Sequence, residues 1–313
     1  MRATLQIVDI VWLSLAVGFL LAFCIYKLPF KLPGNIDQVF QDLIRYGKTK
    51  KQIKRPGIFI LFDVPKRWFW HFYAVSVVWN GLLLLLSLYT VFFHQLLPQF
   101  LTDLLVFLTG QPKTTWSELQ LAVVVVQALL WIHSIRRLLE CLYVSIFSDG
   151  VIHIVHYAFG LSYYIILGLT VLCVNSTQHT EGLSATSTVP FISQYIWLIA
   201  GVLLFIWASL LQHSSLSLLA GLRTSSSGKV ETLVHRMPCG GGFELVSCPH
   251  YLAELLIYVA LCVCCGCCSL TWWLVVFYVL CNQLLAASIC HDYYRSTFKA
   301  YPSKRKAFIP LLL

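Results

Sequence analysis

The sequence predicts an all-α integral membrane protein of about seven transmembrane helices, with the N-terminus lumenal and the C-terminus cytosolic. Three observations carry that prediction. Apolar runs of roughly one membrane thickness, about 20 residues, alternate with polar connections along the chain. Of 313 residues, 58% are hydrophobic and 11% charged, whereas soluble domains carry about 25% charged residues; the mean hydropathy is +0.77. The Lys and Arg residues gather in every second connection, the pattern of a multi-span chain whose basic loops share one side.

The first run, about 7–27, is too long and too evenly apolar for the core of a cleaved signal, and no small-residue cleavage site follows it. It is expected to stay as a span. Further spans are expected at about 70–94, 119–142, 151–174, 191–211, 252–268 and 270–290. The last two are nearly continuous, and Gly266 with Ser269-Leu270-Thr271 allows a tight turn between them. The stretch 100–109 is apolar but too short to cross, and is expected in the interface. The whole chain, 1–313, reads as a single membrane-embedded domain with cytosolic caps at about 28–67 and 212–250 and a basic tail at 291–313.

Charge sets the orientation. Twenty of the 22 Lys and Arg residues fall in four groups: residues 27–67, Arg136 and Arg137, the segment 212–250, and the tail. Seven spans put all four groups on one side, whereas six would strand the tail on the other. The formal charge of +9 would suggest nucleic acid in a soluble protein, but the positive-inside rule accounts for it with no nucleic-acid partner. The loop 175–190 lacks Lys and Arg and opens with the sequon Asn175-Ser176-Thr177, close enough to the membrane that poor glycosylation is expected.

The twelve cysteines do not form a disulfide framework pattern; Cys262, Cys264, Cys265, Cys267 and Cys268 share one apolar run and read as small packing residues. Trp272 and Trp273 read as interface anchors. His153 and His156 have the spacing of two metal ligands, but no third ligand accompanies them, so no metal is expected.

Ionisable groups inside or at the ends of spans are costly and therefore mark candidate sites. They are Asp63; His133, Arg136, Arg137 and Glu140 on one broad face of the third span; His153 and His156; Glu254; and His291, Asp292, Tyr293, Tyr294 and Arg295. The arginines of the third span also fit a plain snorkelling role. Arg223, Arg236 and Gly240-Gly241-Gly242 make a basic, flexible loop of a kind that cradles phosphates. No G-x-G-x-x-G follows a strand, so a nucleotide would bind among helix ends and loops. A transporter would need polar residues deep in several spans, and a scaffold would not need ionisable groups clustered at one level.

These residues lie within longer blocks that resemble the steroid 5-alpha-reductase family, and within it the polyprenol-reducing branch. The blocks are Phe40 to Lys50, Phe62-Asp63-Val64-Pro65-Lys66-Arg67, Leu130 to Ser148, His235-Arg236-Met237-Pro238, Tyr251-Leu252-Ala253-Glu254, and His291 to Leu313 with Tyr301-Pro302 and Lys304-Arg305-Lys306-Ala307-Phe308. They run in order over nearly the whole chain. The resemblance implies a seven-span enzyme of the endoplasmic-reticulum membrane that uses NADPH, entering from the cytosol, to reduce a carbon–carbon double bond conjugated to a carbonyl. It maps cofactor contacts to Arg137, Arg223, Arg236, Glu254 and Tyr294, with His250 where relatives have Asn, and Gln212 and Leu216 where they have Asn and Asp. Steroid-reducing members carry a Glu and a Tyr on the enone oxygen; those positions are Asp63 and Ser134 here, which favours the polyprenoid branch.

Hydride adds to an alkene only where a neighbouring group accepts the charge. A polyprenal provides that acceptor and a free allylic alcohol does not, so the expected reaction is polyprenal to dolichal in dolichol synthesis, in support of protein N-glycosylation. The expected acids are His291, His133 and Tyr294, with Asp63 orienting them. The isoprenoid chain is expected to leave sideways into lipid, through a gap lined by Phe, Leu and Trp. A steroid enone reductase and a trans-enoyl thioester reductase are the rival activities. The sequence sets no oligomeric state.

Overall fold

The computed structural model describes residues 5–29, 32–47, 49–50, 57–112, 119–175, 189–225, 227–310 and 312, and for 189–193 the backbone alone. It is mostly helical. The helices are α1 (Ile7–Lys27), α2 (Gly34–Ile44), α3 (Trp70–Phe93), α4 (Gln99–Thr109), α5 (Leu121–Leu139), α6 (Ile154–Cys173), α7 (Val189–Gly221), α8 (Pro249–Cys264) and α9 (Leu270–Thr297). Six of them, α1, α3, α5, α6, α7 and α9, are long and apolar enough to cross a membrane, which makes this a multi-pass membrane protein. α8 has 16 residues, about 24 Å at 1.5 Å per residue, less than the roughly 30 Å of a hydrocarbon core. It is packed between α7 and α9.

The polar ends of these helices meet. Lys27 at the end of α1 pairs with Asp292 near the end of α9 (3.1 Å). At the other end of the same two helices, Thr271 donates to Asp9 (2.6 Å), so α1 and α9 run parallel. Trp12 donates to Thr170 (3.0 Å), and the Gln120 amide donates to Asn175 (3.0 Å), closing that end of the bundle. Asn175 is buried; Ser176 and Thr177 of its sequon, and most of the 175–190 loop, lie outside the described residues.

Three expectations change. α7 continues to Gly221 instead of ending at 211, because Gln212 and His213 bond inward to α5 and α8, so the polar run 212–217 is helix. Two short strands also interrupt the helical pattern: β1 (Asp63–Pro65) pairs antiparallel with β2 (Val151–His153), Val64 opposite Ile152. They clip the cap after α2 onto the start of α6. Finally, Trp272 is fully buried. It faces the core between helices, while Trp273 is 45% exposed and donates to the Cys267 carbonyl (2.9 Å).

The short apolar run 100–109 forms α4, with Leu101 and Leu105 buried and Phe100 and Phe107 exposed. The cysteine run packs as expected of small apolar residues: Cys262, Cys264 and Cys265 are buried. Helices α7 and α8 make the most extensive pairing, and Gly201 is the reason they approach closely. A Cβ there would lie 2.4 Å from Cys264 Sγ, 2.7 Å from the Cys264 amide nitrogen and 2.8 Å from the Ala260 carbonyl. Backbone cannot yield as a flexible side chain does, so Gly201→Ala is expected to destabilise by roughly 1–3 kcal/mol through overpacking, read as a lower Tm in detergent.

Candidate active site

Two adjoining cavities occupy the basic end of the bundle. The inner one, about 230 Å³, is walled by aromatic side chains, including Phe72, Tyr73, Phe159, Tyr163, Tyr164, Tyr258 and Tyr278. The outer one, about 260 Å³, is lined by Lys66, Arg137, Arg223, His235, Arg236 and Tyr294. Tyr46, Arg137, His250 and Tyr251 belong to both walls. An aromatic chamber and a basic one thus adjoin at a polar neck built from residues of both walls.

A network of paired charges forms the floor of the neck. The helix α5 ends in a wider π turn, Glu140–Val144, and its last arginines converge on Glu140: Arg136 at 2.7 Å and Arg137 at 2.5 Å. Arg136 also donates to Gln212 of α7 (2.5 Å), and His213 meets Glu140 at 2.9 Å. Gln212 donates in turn to Glu254 of α8. Because a guanidinium only donates, the contact of Arg136 with His133 Nδ1 (3.1 Å) makes that nitrogen the acceptor. In the neutral ring the proton then sits on Nε2, which faces Glu254 at 3.5 Å. Arg137 Nε donates to the Tyr73 hydroxyl (3.2 Å), and its guanidinium lies over the Tyr73 ring (5.0 Å). Tyr73 therefore accepts from a cation and faces the inner cavity.

The outer cavity fits an anion. Half-buried Arg223 bonds only neutral partners among the described residues: the Ile146 carbonyl and His235 Nε2 (2.8 Å). Burial pulls its pKa below the ordinary guanidinium value, opposed by the phenols of Tyr294 and Tyr293. A desolvated cation without a carboxylate beside it is a ready partner for phosphate. Arg236 reaches Glu231 only at 4.0 Å, in solvent. In the cap, burial pushes the Tyr46 hydroxyl up, which its bond to Tyr251 (2.6 Å) opposes; it stays a neutral phenol.

The expected site residues divide between cavity and scaffold. Arg137, Arg223, Arg236, His250, Glu254 and Tyr294 line one cavity or both. His133 stands behind Glu254, 1% exposed. His291 lies away from the cavities: Ser247 and His291 Nδ1 share a hydrogen bond (2.6 Å), and Ser247 also bonds Tyr301. Burial raises the Tyr301 phenol. With the Ser247 amide on the Lys306 carbonyl (2.8 Å), this bonding straps the C-terminal tail over the segment that leads into α8.

Asp63 also stands outside the lining of these two cavities. Lys50, fully buried, pairs with Asp63 and Asp42 at 3.1 Å each, joining α2 to β1. Ser134 bonds Ser76 (2.6 Å) between α5 and α3. In the glycine turn, the Gly240 amide donates to the exposed carboxylate of Glu244 (2.6 Å). The histidines of β2 and α6 part company: His153 caps the first turn of α6 through Val155 (3.1 Å), while His156 lines the inner cavity.

The 3-oxo-5-alpha-steroid 4-dehydrogenase family matches residues 151–313. The chain belongs to this family, the steroid 5-alpha-reductases. It is 62% identical over 310 residues to a protein of Danio rerio named polyprenal reductase, covering 99% of each chain. Proteins of the same name from Xenopus tropicalis and Homo sapiens are 48% and 47% identical over 311 and 307 residues, covering 98% and 96% of this chain and 100% and 94% of theirs.

Sequence reasoning missed most of the inner wall. Tyr73, Tyr163, Tyr164, Tyr258 and Tyr278 sit in spans as ordinary aromatic residues, and His156 was read only beside His153. Polar hydroxyls recurring in several apolar spans were the available signal. For the cap, Lys50→Met leaves two buried carboxylates without their cation and is expected to cost roughly 3–5 kcal/mol, read by thermal unfolding. Asp63→Asn is expected to lower stability while sparing turnover; lost turnover at unchanged Tm would return Asp63 to the site.

Proposed function

We propose that this protein reduces the α-isoprene double bond of a polyprenal to give a dolichal, using NADPH, in dolichol synthesis that supports protein N-glycosylation. The observation that carries this reading is the joining of an aromatic chamber to a basic one through Arg137 and Tyr73, in a chain belonging to a reductase family whose similar members are named for this substrate. We further infer seven spans in the endoplasmic-reticulum membrane, with the basic end cytosolic. Parallel α1 and α9 support an odd number of crossings, with α8 as the short one, and the positive-inside rule supports the orientation.

NADPH would be held by Arg223, Arg236 and His235 toward its phosphates and by Tyr294, His250 and Glu254 further in, and when bound it supplies a hydride to a conjugated double bond. The protein's part is to receive the charge that develops on the aldehyde oxygen. Tyr73 suits that role, because its oxygen accepts from Arg137 and its own proton is left to donate. The adjacent guanidinium favours negative charge at that position. Glu254, held by Gln212 and His133, presents a fixed polar group to the neck. The aromatic walls exclude water from the reacting carbons.

The test is incubation of purified protein with NADPH and either a short polyprenal or a steroid enone, following NADPH loss and product mass. A gain of two hydrogens on the polyprenal alone supports the reading; turnover of the steroid alone overturns it. Tyr73→Phe is expected to lower kcat by about 10²–10⁴-fold, the usual loss of a general acid, with NADPH binding retained. Arg223→Ala and Arg236→Ala are expected to raise KM for NADPH more than they lower kcat, since they remove binding common to ground and transition states.

A further inference from the structure

A third cavity, about 250 Å³, lies beside the inner one. Its wall comes from Ser14, Gly18 and Ala22 on α1, Leu43 and Ile44 at the end of α2, and Leu285 on α9. Phe19, Tyr46, His156, Asn282 and Ala286 line both cavities, so the two are neighbours across a shared wall. The three α1 residues recur every four positions and share one helix face.

Small residues on a helix face usually mean close packing, as at Gly201. Gly18 is different, because a Cβ built there meets nothing within 4 Å. The groove is open space that the α1 sequence leaves unfilled. Its surroundings are apolar and face outward: Val17 and Leu21 of α1 are 41% and 56% exposed, and Ile36 and Val39 of α2 are 61% and 51% exposed. On a membrane helix such a surface meets lipid tails.

The inner cavity is below the roughly 300–1,000 Å³ of a typical small-ligand site, so it has room for the reacting end of a linear isoprenoid and little more. The outer cavity is basic and unsuited to hydrocarbon. The continuing chain needs an apolar path, and the groove is a mainly apolar cavity that abuts the chamber. Resting on the polyprenal reading, we propose that the α1–α2–α9 groove is the subsite for the isoprene units that follow the reacting one, and that Gly18 sets its depth. Of the Phe, Leu and Trp expected from sequence, the groove's lining holds Phe19 and leucines but no Trp among the described residues.

The test is Gly18→Phe, which fills open space. Two enals are compared in NADPH-dependent reduction: a long polyprenal, and a short isoprenoid enal that ends inside the inner cavity. Binding of the long enal without nucleotide is measured in parallel by equilibrium dialysis in detergent. Expected is a loss of at least about tenfold in kcat/KM for the long enal, the scale of steric discrimination in an apolar pocket, with the short enal nearly unchanged and long-enal binding weakened. Ala22→Leu, on the next turn of the same face, repeats the comparison should Gly18→Phe lower Tm. If native protein reduces both enals and both variants keep the native ratio of long to short, the subsite is overturned while the function stands. If native protein reduces neither enal, the polyprenal reading itself falls.

Discussion

Charge at the inner ends of the spans has to be satisfied within the protein, and the basic half of the bundle is organised around that requirement. An unpaired charge at this depth is expensive, and a buried pair is tolerated only when its remaining donors and acceptors are also met. Arg136, Arg137 and Glu140 of α5, Gln212 of α7, and His133 with Glu254 of α8 meet most of that condition jointly, with Arg136 Nε and His133 Nε2 left outside the hydrogen bonding among the described residues. Gln212 is the joint, because an amide both donates and accepts: its Oε1 accepts a hydrogen bond from Arg136 and its Nε2 donates one to Glu254. The orientation of the groups facing the neck, Tyr73 through Arg137 and Glu254 through Gln212 and His133, follows from this pairing.

The two ends of the bundle are built differently. At the end away from the basic groups, Asp9 with Thr271 and Trp12 with Thr170 close the helices on one another, and Gly201 lets α7 and α8 approach backbone to backbone. At the basic end the helices part around the cavities, and the cover comes from short, tied segments. The strand pair β1–β2 and the Lys50 ion cluster hold the first cap. The bonding of Ser247 with His291, Tyr301 and Lys306 holds the second. A closed end and an open, strapped end allow large cavities without loss of helix register.

Family membership and geometry bear on different residues. The positions at which steroid-reducing members are expected to carry a Glu and a Tyr are Asp63 and Ser134, and both are engaged in scaffold bonds, to Lys50 and Ser76. Tyr73, one helix turn beyond Phe69 on α3, carries a phenol into the inner cavity instead.

Hydropathy and charge are properties of consecutive residues, and so the long apolar helices and the ionisable cluster on α5 were legible in the chain. The extension of α7 to Gly221 was not, because Gln212 and His213 look like loop until their partners on α5 and α8 are known. The cavity wall was legible still less. Tyr46, Tyr73, Tyr163 and the α8 pair Tyr251 and Tyr258 come from four separate segments and meet only because each helix has a particular rotation about its axis, which is decided by packing against its neighbours. Gly18 and Gly201 make the same point: each is a glycine in an apolar run, yet one faces open space and the other a helix backbone. A sequence records which side chains are absent, and only the tertiary structure decides whether that absence becomes a contact or a cavity.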